Sequence, residues 1–331
     1  MSNNFVFQNA QIKSRESKLL TLQGVQRLFD AQNTKEAMKV LIELGFGNGM
    51  TSEDTDFDAV FKAEEENLCA LLKEMNVGGA LDVFLLENDY INLKIAAKAL
   101  AANNNDVHFL PDGLYEAQNI VNELNCVGQE RSLAEEKPVF DKRFEGAING
   151  VAALIAEGNA NPRAIDNYLD KKMYDHIFAS VQKSGKLAKE YYAKKADFVN
   201  IGAFTRCEKL SLDDEFFKAC FIEGGNIALG KFIEQDTTLE TFALKMKDTA
   251  YEKIVSDLAS SKNVVAFEVQ SENVLLKMWK DADFDMFSIA PIAAYYLTKK
   301  TELKVVKLIV AGIKNHVAPQ IIKERMRELY A

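Results

Sequence analysis

Apolar residues recur at helical spacing along nearly the whole chain, and only 5 prolines in 331 residues stand in their way. From Gln8 to Phe29, Ile12, Leu19, Leu22, Val25 and Phe29 fall on one helical face. Lys13, Arg15, Glu16, Lys18 and Arg27 fill the other. Phe57 to Met75, Phe140 to Ala156 and Ser180 to Lys195 repeat the pattern. Strand-like alternation is scarce; Asn263 to Val269 is the one passage open to debate, and it is read as the start of a helix. The chain is therefore expected to be all-α.

Three copies of one unit follow each other along the chain. Each opens with an amphipathic helix, at Gln8 to Phe29, Phe140 to Ala156 and Cys220 to Ile233. A polar break and a strong helix start come next. Asn33 can cap the first, with Glu36 returning the hydrogen bond, and Thr237 with Glu240 forms the same box in the third. In the second, Asn161 precedes Pro162, a capping residue before proline at the first helical position. Such caps are worth only about 1 kcal/mol each, so they mark boundaries without holding a fold together. A third landmark closes each unit: Asp89-Tyr-Ile-Asn92-Leu-Lys94, Asp197-Phe-Val-Asn200-Ile-Gly202, and Glu302-Leu-Lys-Val305-Val-Lys307. Asp89, Asn92, Asp197, Asn200 and Glu302 are thus candidate structural residues of a divergent repeat. Length alone points to two or three domains. The repeat places them at 1–128, 129–219 and 220–331, three helical modules able to pack around a pseudo-threefold axis with a central concavity.

The formal net charge is −9 and the sequence pI about 5.1, which argues against nucleic acid or anionic lipid as a general partner. The charge is uneven, however. From Lys299 onward there are eight basic residues (Lys299, Lys300, Lys304, Lys307, Lys314, Lys323, Arg325, Arg327) against Glu302, Glu324 and Glu328, so this tail is +5 and the remainder −14. Such a tail meets an acidic partner, meets the protein's own acidic face, or is simply solvated. Cys69, Cys126, Cys207 and Cys220 lie far apart with no CxxC spacing, which fits a reducing cytosol better than zinc or a disulfide framework. The N-terminus lacks a signal-peptide core. No run reaches the roughly 18 apolar residues of a membrane helix, and Phe287 to Leu297 is short and carries Pro291. A soluble protein whose membrane contact is indirect is expected.

No constellation supports a reaction. Gly45-Phe-Gly47-Asn-Gly49 resembles a phosphate loop, but it follows a helical pattern and lacks the Lys-Ser/Thr, so it reads as a helix terminator. His176 and His316 have no acidic or histidine partner at metal-binding helical spacing. His108 has Asp112 four residues on, within a Pro111-Asp-Gly113 turn. Cys207 and Cys220 have no histidine nearby to act as a base. Glu64, Glu65 and Glu66 read as a solvated face, and Asp213-Asp214-Glu215 as the acidic first turn of a helix. Trp279 and the pair Tyr295-Tyr296 are interface anchors or core. No catalytic residue, cofactor, metal or small-molecule substrate is expected.

The C-terminal stretch carries a resemblance. Asp285-Met-Phe-Ser-Ile-Ala-Pro291-Ile-Ala-Ala-Tyr295-Tyr296 runs into Lys299-Lys300-Thr-Glu302, a helix, then Gly312-Ile-Lys314, and ends in Ile321-Ile-Lys-Glu-Arg-Met-Arg-Glu-Leu-Tyr330. It resembles the signature of the C subunits of V/A-type rotary ATPases. The Asp89 and Asp197 segments look like that family's first and second repeat motifs, and the likeness spans essentially the whole chain. Ala290 stands where the family often has Glu, Val305 stands where Asn would complete the set, and Gly128 to Ser132 matches no motif.

What the resemblance implies is a funnel of three similar helical domains about a pseudo-threefold axis, related to the d subunits of eukaryotic V-ATPases. Its mouth would receive the central-stalk shaft made of the D and F subunits, and its other face would dock on the membrane proteolipid (c/K) ring. It would be a non-catalytic central-stalk rotor component transmitting torque, peripheral on the cytoplasmic side of the membrane, in a complex that moves protons or sodium ions. Lys299, Lys300, Lys304 and Lys307 are candidates for its partner-binding surface. Competing readings are a free-standing helical scaffold or adapter unrelated to a rotary motor, and an all-α hydrolase or metalloenzyme.

Overall fold

A computed structural model describes residues 5–52, 56–104, 106–111, 113–127, 139–234 and 237–329. The described residues form helices and connecting turns, with no strand among them. In chain order the helices are α1 (Val6–Glu16), α2 (Leu22–Phe29), α3 (Thr34–Glu43), α4 (Phe57–Met75), α5 (Asp82–Ala101), α6 (Ala117–Cys126), α7 (Lys142–Ala156) and α8 (Pro162–Ser180). A 3-10 turn, Val181–Ser184, leads to α9 (Gly185–Lys209), α10 (Asp214–Cys220), α11 (Gly230–Ile233), α12 (Leu239–Lys245), α13 (Glu252–Ser261), α14 (Val264–Lys280), α15 (Ala290–Lys314) and α16 (Pro319–Lys323). No helix among the described residues is long and apolar enough to cross a membrane. The join at 128–132, Asp112 and Tyr330 lie outside the described residues.

Helix starts are set where short polar side chains take an orphan backbone N–H. Asn33 accepts from Glu36 N–H, Asn161 from Ala164 N–H ahead of Pro162, Asp213 from Phe216 N–H and Asn263 from Ala266 N–H. The passage after Asn263 is helical, and α4 runs from Phe57 to Met75 as its periodicity dictates. Gly45, Gly47 and Gly49 all have positive φ and end α3 as a terminator, not a phosphate cradle.

Four local readings are corrected. Gln8 to Phe29 is two helices, because Thr21 is extended and caps Gly24 N–H. Ser180 to Lys195 is broken at Gly185, whose φ of 88° no continuous helix tolerates. Cys220 to Ile233 is mostly turn: α10 ends at Cys220 and helix returns only at Gly230. The third capping box is Thr238 with Thr241 rather than Thr237 with Glu240, whose carboxylate instead meets Lys262. In the first box Glu36 does return a hydrogen bond, but to Gln32 N–H.

The chain divides into two compact units. One consists of Met1–Gly78 and Glu234–Ala331, the other of Gly79–Ile233. In the first, α15 packs against α1, α2, α3, α4 and α14. Leu303, Val305, Val306, Ile309 and Val310 of α15 share a core with Val25, Leu28, Met38, Leu41, Val60 and Phe61. At about 1.5–3 kcal/mol per fully buried large aliphatic or aromatic side chain, that shared core binds the two chain ends together. Trp279 is wholly buried here, and Tyr295 and Tyr296 are buried too, so all three are core rather than interface. Gly312 lets α16 come close: a β-carbon there would collide with Ile322.

In the second unit α5 packs against α6, α7 and α8. Tyr90, Tyr115, Phe140 and Phe144 interlock around α5 and α7, with Tyr90 edge-on to Phe144 at 5.1 Å. A second aromatic cluster, Phe204, Phe217, Phe221 and Phe232, joins α9, α10 and α11. Buried aromatic pairs of this kind add about 0.5–1.5 kcal/mol beyond their area.

Candidate functional site

The long helices α5, α9 and α15 each carry one of the repeat motifs, and in each the motif acid is wholly buried. Buried carboxylates need hydrogen-bond donors. Asp89 Oδ2 accepts from Leu114 N–H at 3.0 Å and Oδ1 from Tyr115 N–H at 3.1 Å. Asn92, one turn on, exchanges two bonds with Leu110: its Oδ1 accepts from the N–H at 2.8 Å and its Nδ2 donates to the carbonyl at 3.0 Å. The motif thus clamps the chain just ahead of α6.

The second copy repeats this geometry. Asp197 accepts from Asn226 N–H at 3.0 Å and from Ile227 N–H at 2.9 Å, and Asn226 Nδ2 adds a third donor at 2.9 Å. Asn200 exchanges two bonds with Ile222, each 2.8 Å long. The clamped chain here leads into α11.

In the third copy the acid is a glutamate, and it turns to a segment that precedes it by 282 residues. Glu302 Oε1 accepts from Leu20 N–H at 2.7 Å, two residues before α2 begins. Its Oε2 takes a hydrogen bond from Lys299 Nζ at 2.9 Å. Burial pushes the Glu302 carboxyl up, against the downward pull of Lys299 and the Leu20 N–H. Burial opposes the charge on Lys299 as well, but Glu302 and Glu64 outweigh it and its pKa is raised. Val305 occupies the Asn position because no chain is clamped there; it joins the shared core of the chain ends.

The lysine five residues after the motif acid follows the same rule. Lys94 pairs with Asp170 of α8 at 2.5 Å, and Lys307 pairs with Glu65 of α4 at 2.6 Å. In chain order, α4 and α8 are each the helix before a motif helix. The C-terminal helix therefore treats the first copy as α5 treats the second. No sequence signal separates this from a coincidence of charges; the partners are far apart in the chain.

The four tail lysines are placed unequally. Lys299 is 15% exposed and lies between Glu302 and Glu64, over the Phe46 ring. Lys300 reaches the Tyr296 hydroxyl at 3.2 Å. Lys304 stays 55% exposed beside Glu272, which Arg327 also grips. Glu64 and Glu65, read as a solvated face, are two of the acceptors for this basic stretch. Of the alternatives for the tail, the protein's own acidic face is thus occupied.

One cluster escaped the sequence entirely. His176, buried on α8, has Nε2 at 3.2 Å from Asp141 Oδ1 and Nδ1 at 3.3 Å from the Tyr90 hydroxyl. Asp141 N–H in turn donates to the Tyr115 hydroxyl at 2.9 Å. Burial lowers the His176 pKa, with Asp141 pulling against it. Tyr90 is wholly buried and His176 nearly so, while Asp141 stays about half exposed at the start of α7, so this array fastens α5, α7 and α8. Among the described residues, no three His, Cys, Asp or Glu side chains are grouped to hold a metal ion.

A sequence profile of the ATP synthase (C/AC39) subunit family matches residues 8–325. The A-type ATP synthase C-subunit protein of Pyrococcus abyssi is 22% identical over 344 residues, covering 98% of this chain and 90% of the relative. The V-type sodium ATPase C-subunit protein of Enterococcus hirae is 22% identical, covering 97% and 98%. The A-type ATP synthase C-subunit protein of Methanosarcina acetivorans is 23% identical, covering 98% and 93%.

Proposed function

The chain belongs to the ATP synthase (C/AC39) subunit family, and from that premise we propose that it is the non-catalytic central-stalk component of a V/A-type rotary ATPase. In this reading it links the shaft of D and F subunits to the membrane proteolipid ring and transmits torque. It sits peripherally on the cytoplasmic side of the membrane. Three helical domains, 1–128, 129–219 and 220–331, arranged as a funnel about a pseudo-threefold axis, are part of the same proposal, and the repeated anchor of Asp89, Asp197 and Glu302 supports it.

The observation that carries the proposal is the bond from Glu302 to Leu20, which ties the last motif helix to the first segment of the chain. A torque-bearing adapter must not fray at its ends. Close-packed helices resist deformation, and buried charge-assisted hydrogen bonds are stronger than neutral ones.

Lys300, Lys304 and Lys307 supply part of the polar surface for the shaft in this proposal. Lys299 contributes from behind, because exposing it would break its pairing with Glu302. Exposed ion pairs are worth about 0–1 kcal/mol each, which suits a joint that dissociates and weakens with salt.

The test is purification of the tagged full chain from a detergent extract of its own membranes. Co-recovery of the shaft and proteolipid-ring proteins is the expected result. Recovery of neither, with the tagged chain intact, overturns the proposal in favour of a free-standing scaffold. Reversing Lys304 and Lys307 to Glu should then weaken binding to the isolated shaft at low salt.

A further inference from the structure

We propose that Asn48 is a site of spontaneous conversion to isoaspartate, and that the conversion loosens the hold of Glu64 on the loop between α3 and α4. The proposal goes beyond the rotor reading and does not depend on it.

The chain holds two Asn-Gly pairs, Asn48-Gly49 and Asn149-Gly150. A glycine after asparagine leaves the next backbone nitrogen unshielded, so that nitrogen can attack the asparagine side chain. The attack is intramolecular, and its rate depends on how readily the two groups meet. Asn48 and Gly49 are the exposed central residues of a tight turn, with φ of 50° and 85°. Positive φ at both centres makes the left-handed turn that Asn-Gly favours. Met50 N–H closes it on Gly47 O at 3.0 Å, a bond that does not use the Gly49 nitrogen. Chain neighbours aside, no heavy atom lies within 4 Å of where a β-carbon on Gly49 would stand. The Asn48–Gly49 peptide is therefore free to swing into the extended conformation that ring closure needs.

The second pair is held shut. Asn149 and Gly150 lie in the middle of α7, where the Gly150 nitrogen belongs to the hydrogen-bond ladder of the helix. The place of a β-carbon on Gly150 is filled by the Tyr168 hydroxyl. Ring closure there requires unwinding a helix whose Phe144, Ala147, Ile148 and Val151 are buried.

The reaction needs only water. The Gly49 nitrogen gives its proton to hydroxide and bonds to Asn48 Cγ; the bond from Cγ to the amide nitrogen breaks, and ammonia leaves. Water then opens the cyclic succinimide. Addition at the side-chain carbonyl gives aspartate, and addition at the main-chain carbonyl gives isoaspartate, whose main chain runs through the former side chain. One extra main-chain atom and a new carboxylate enter the turn. Gly47, which closes that turn, also donates its N–H to Glu64 Oε1 at 3.0 Å. A turn that loses its register cannot keep this N–H in place, and Glu64 loses one of its two ties, the other being to Lys299.

The experiment incubates the folded full chain in mildly alkaline buffer and follows peptides by mass, with methyl transfer by an isoaspartyl methyltransferase as the readout for isoaspartate. A free peptide of residues 41–52 runs alongside. The expected result is amide-to-acid conversion at position 48, mostly as isoaspartate, at least about tenfold faster than at position 149, where the helix must first open. Amide exchange at Gly47 should be faster in the converted chains than in the unconverted ones. Asn48→Gln should abolish the conversion and keep Gly47 protected. An intact Asn48 after the peptide has converted, or equal rates at Asn48 and Asn149, would overturn the site. Equal Gly47 protection in converted and unconverted chains would overturn its link to Glu64.

Discussion

The carboxylate of Asp197 occupies the space that a β-carbon on Gly225 would need, and Asp89 stands in the same relation to Gly113. In both copies the glycine directly precedes the two residues whose N–H groups the aspartate accepts. Glycine lets a short side chain lie against the backbone; anything larger would force it away. Leu19 precedes Leu20 at the third anchor, and there the acid is Glu302, one methylene longer. Acid length and glycine placement therefore vary together.

Gly225→Ala should cost about 1–3 kcal/mol through overpacking against Asp197. The check is a shift in urea midpoint. Because the two sites touch, the double variant with Asp197→Ala should cost less than the sum of the singles. Additive losses would show that the contact does not set the glycine's role.

Asp89→Ala leaves the Leu114 and Tyr115 N–H groups without their acceptor, which should cost about 1–3 kcal/mol. Asp89→Asn keeps one acceptor oxygen and should lose less. Amide exchange at residues 114 and 115 is the local readout. Equal protection in the alanine variant and the wild type would refute the anchoring role.

Glu302→Ala should release the N-terminal segment before the rest of its unit unfolds. Exchange at Leu20 and limited proteolysis near Ser17 to Leu20 should both accelerate, while α4 amides change little. If α1 and α4 lose protection together, Glu302 holds the whole core and not the segment alone.

His176 makes stability pH-dependent on the acidic side. Its folded pKa is lowered by burial, partly offset by Asp141, so the unfolded chain takes up a proton at a higher pH than the folded one. Its contribution is full above the ordinary histidine value of about 6.5 and is lost as pH falls through the lowered folded value. Denaturation midpoints measured downward from pH 8 should fall more steeply for the wild type than for His176→Gln. Parallel profiles would remove His176 as the cause.

Much of the local structure was legible because its causes lie within a few residues. Asn33 and Asn161 cap helices through an N–H three residues on, as their neighbours indicate; Asp213, read as part of a first turn, and Asn263, read as a helix start, turn out to be caps of the same kind. The break before Thr21 was not legible. Leu19 and Leu22 continue the helical spacing of Ile12, yet α1 ends at Glu16, Thr21 caps a new helix, and between them Leu20 N–H goes to Glu302. Cys220 to Ile233 failed for a similar reason: its apolar residues face Asn200, Asp197 and the aromatic cluster as turn, not as a helical stripe.

The sequence by itself determined that the chain is helical, where most helices begin, and that an acidic motif recurs on three of them. These follow from periodicity and capping, which act over three or four residues. The tertiary structure decided what each motif acid holds. Asp89 finds its partner 25 residues ahead, while Glu302 finds its own 282 residues behind. No spacing rule reaches that far, since a buried carboxylate demands donors but does not say which part of the chain supplies them. Packing of α15 onto α2, α3 and α4 brings Leu20 within reach, and so closes the chain on its own beginning.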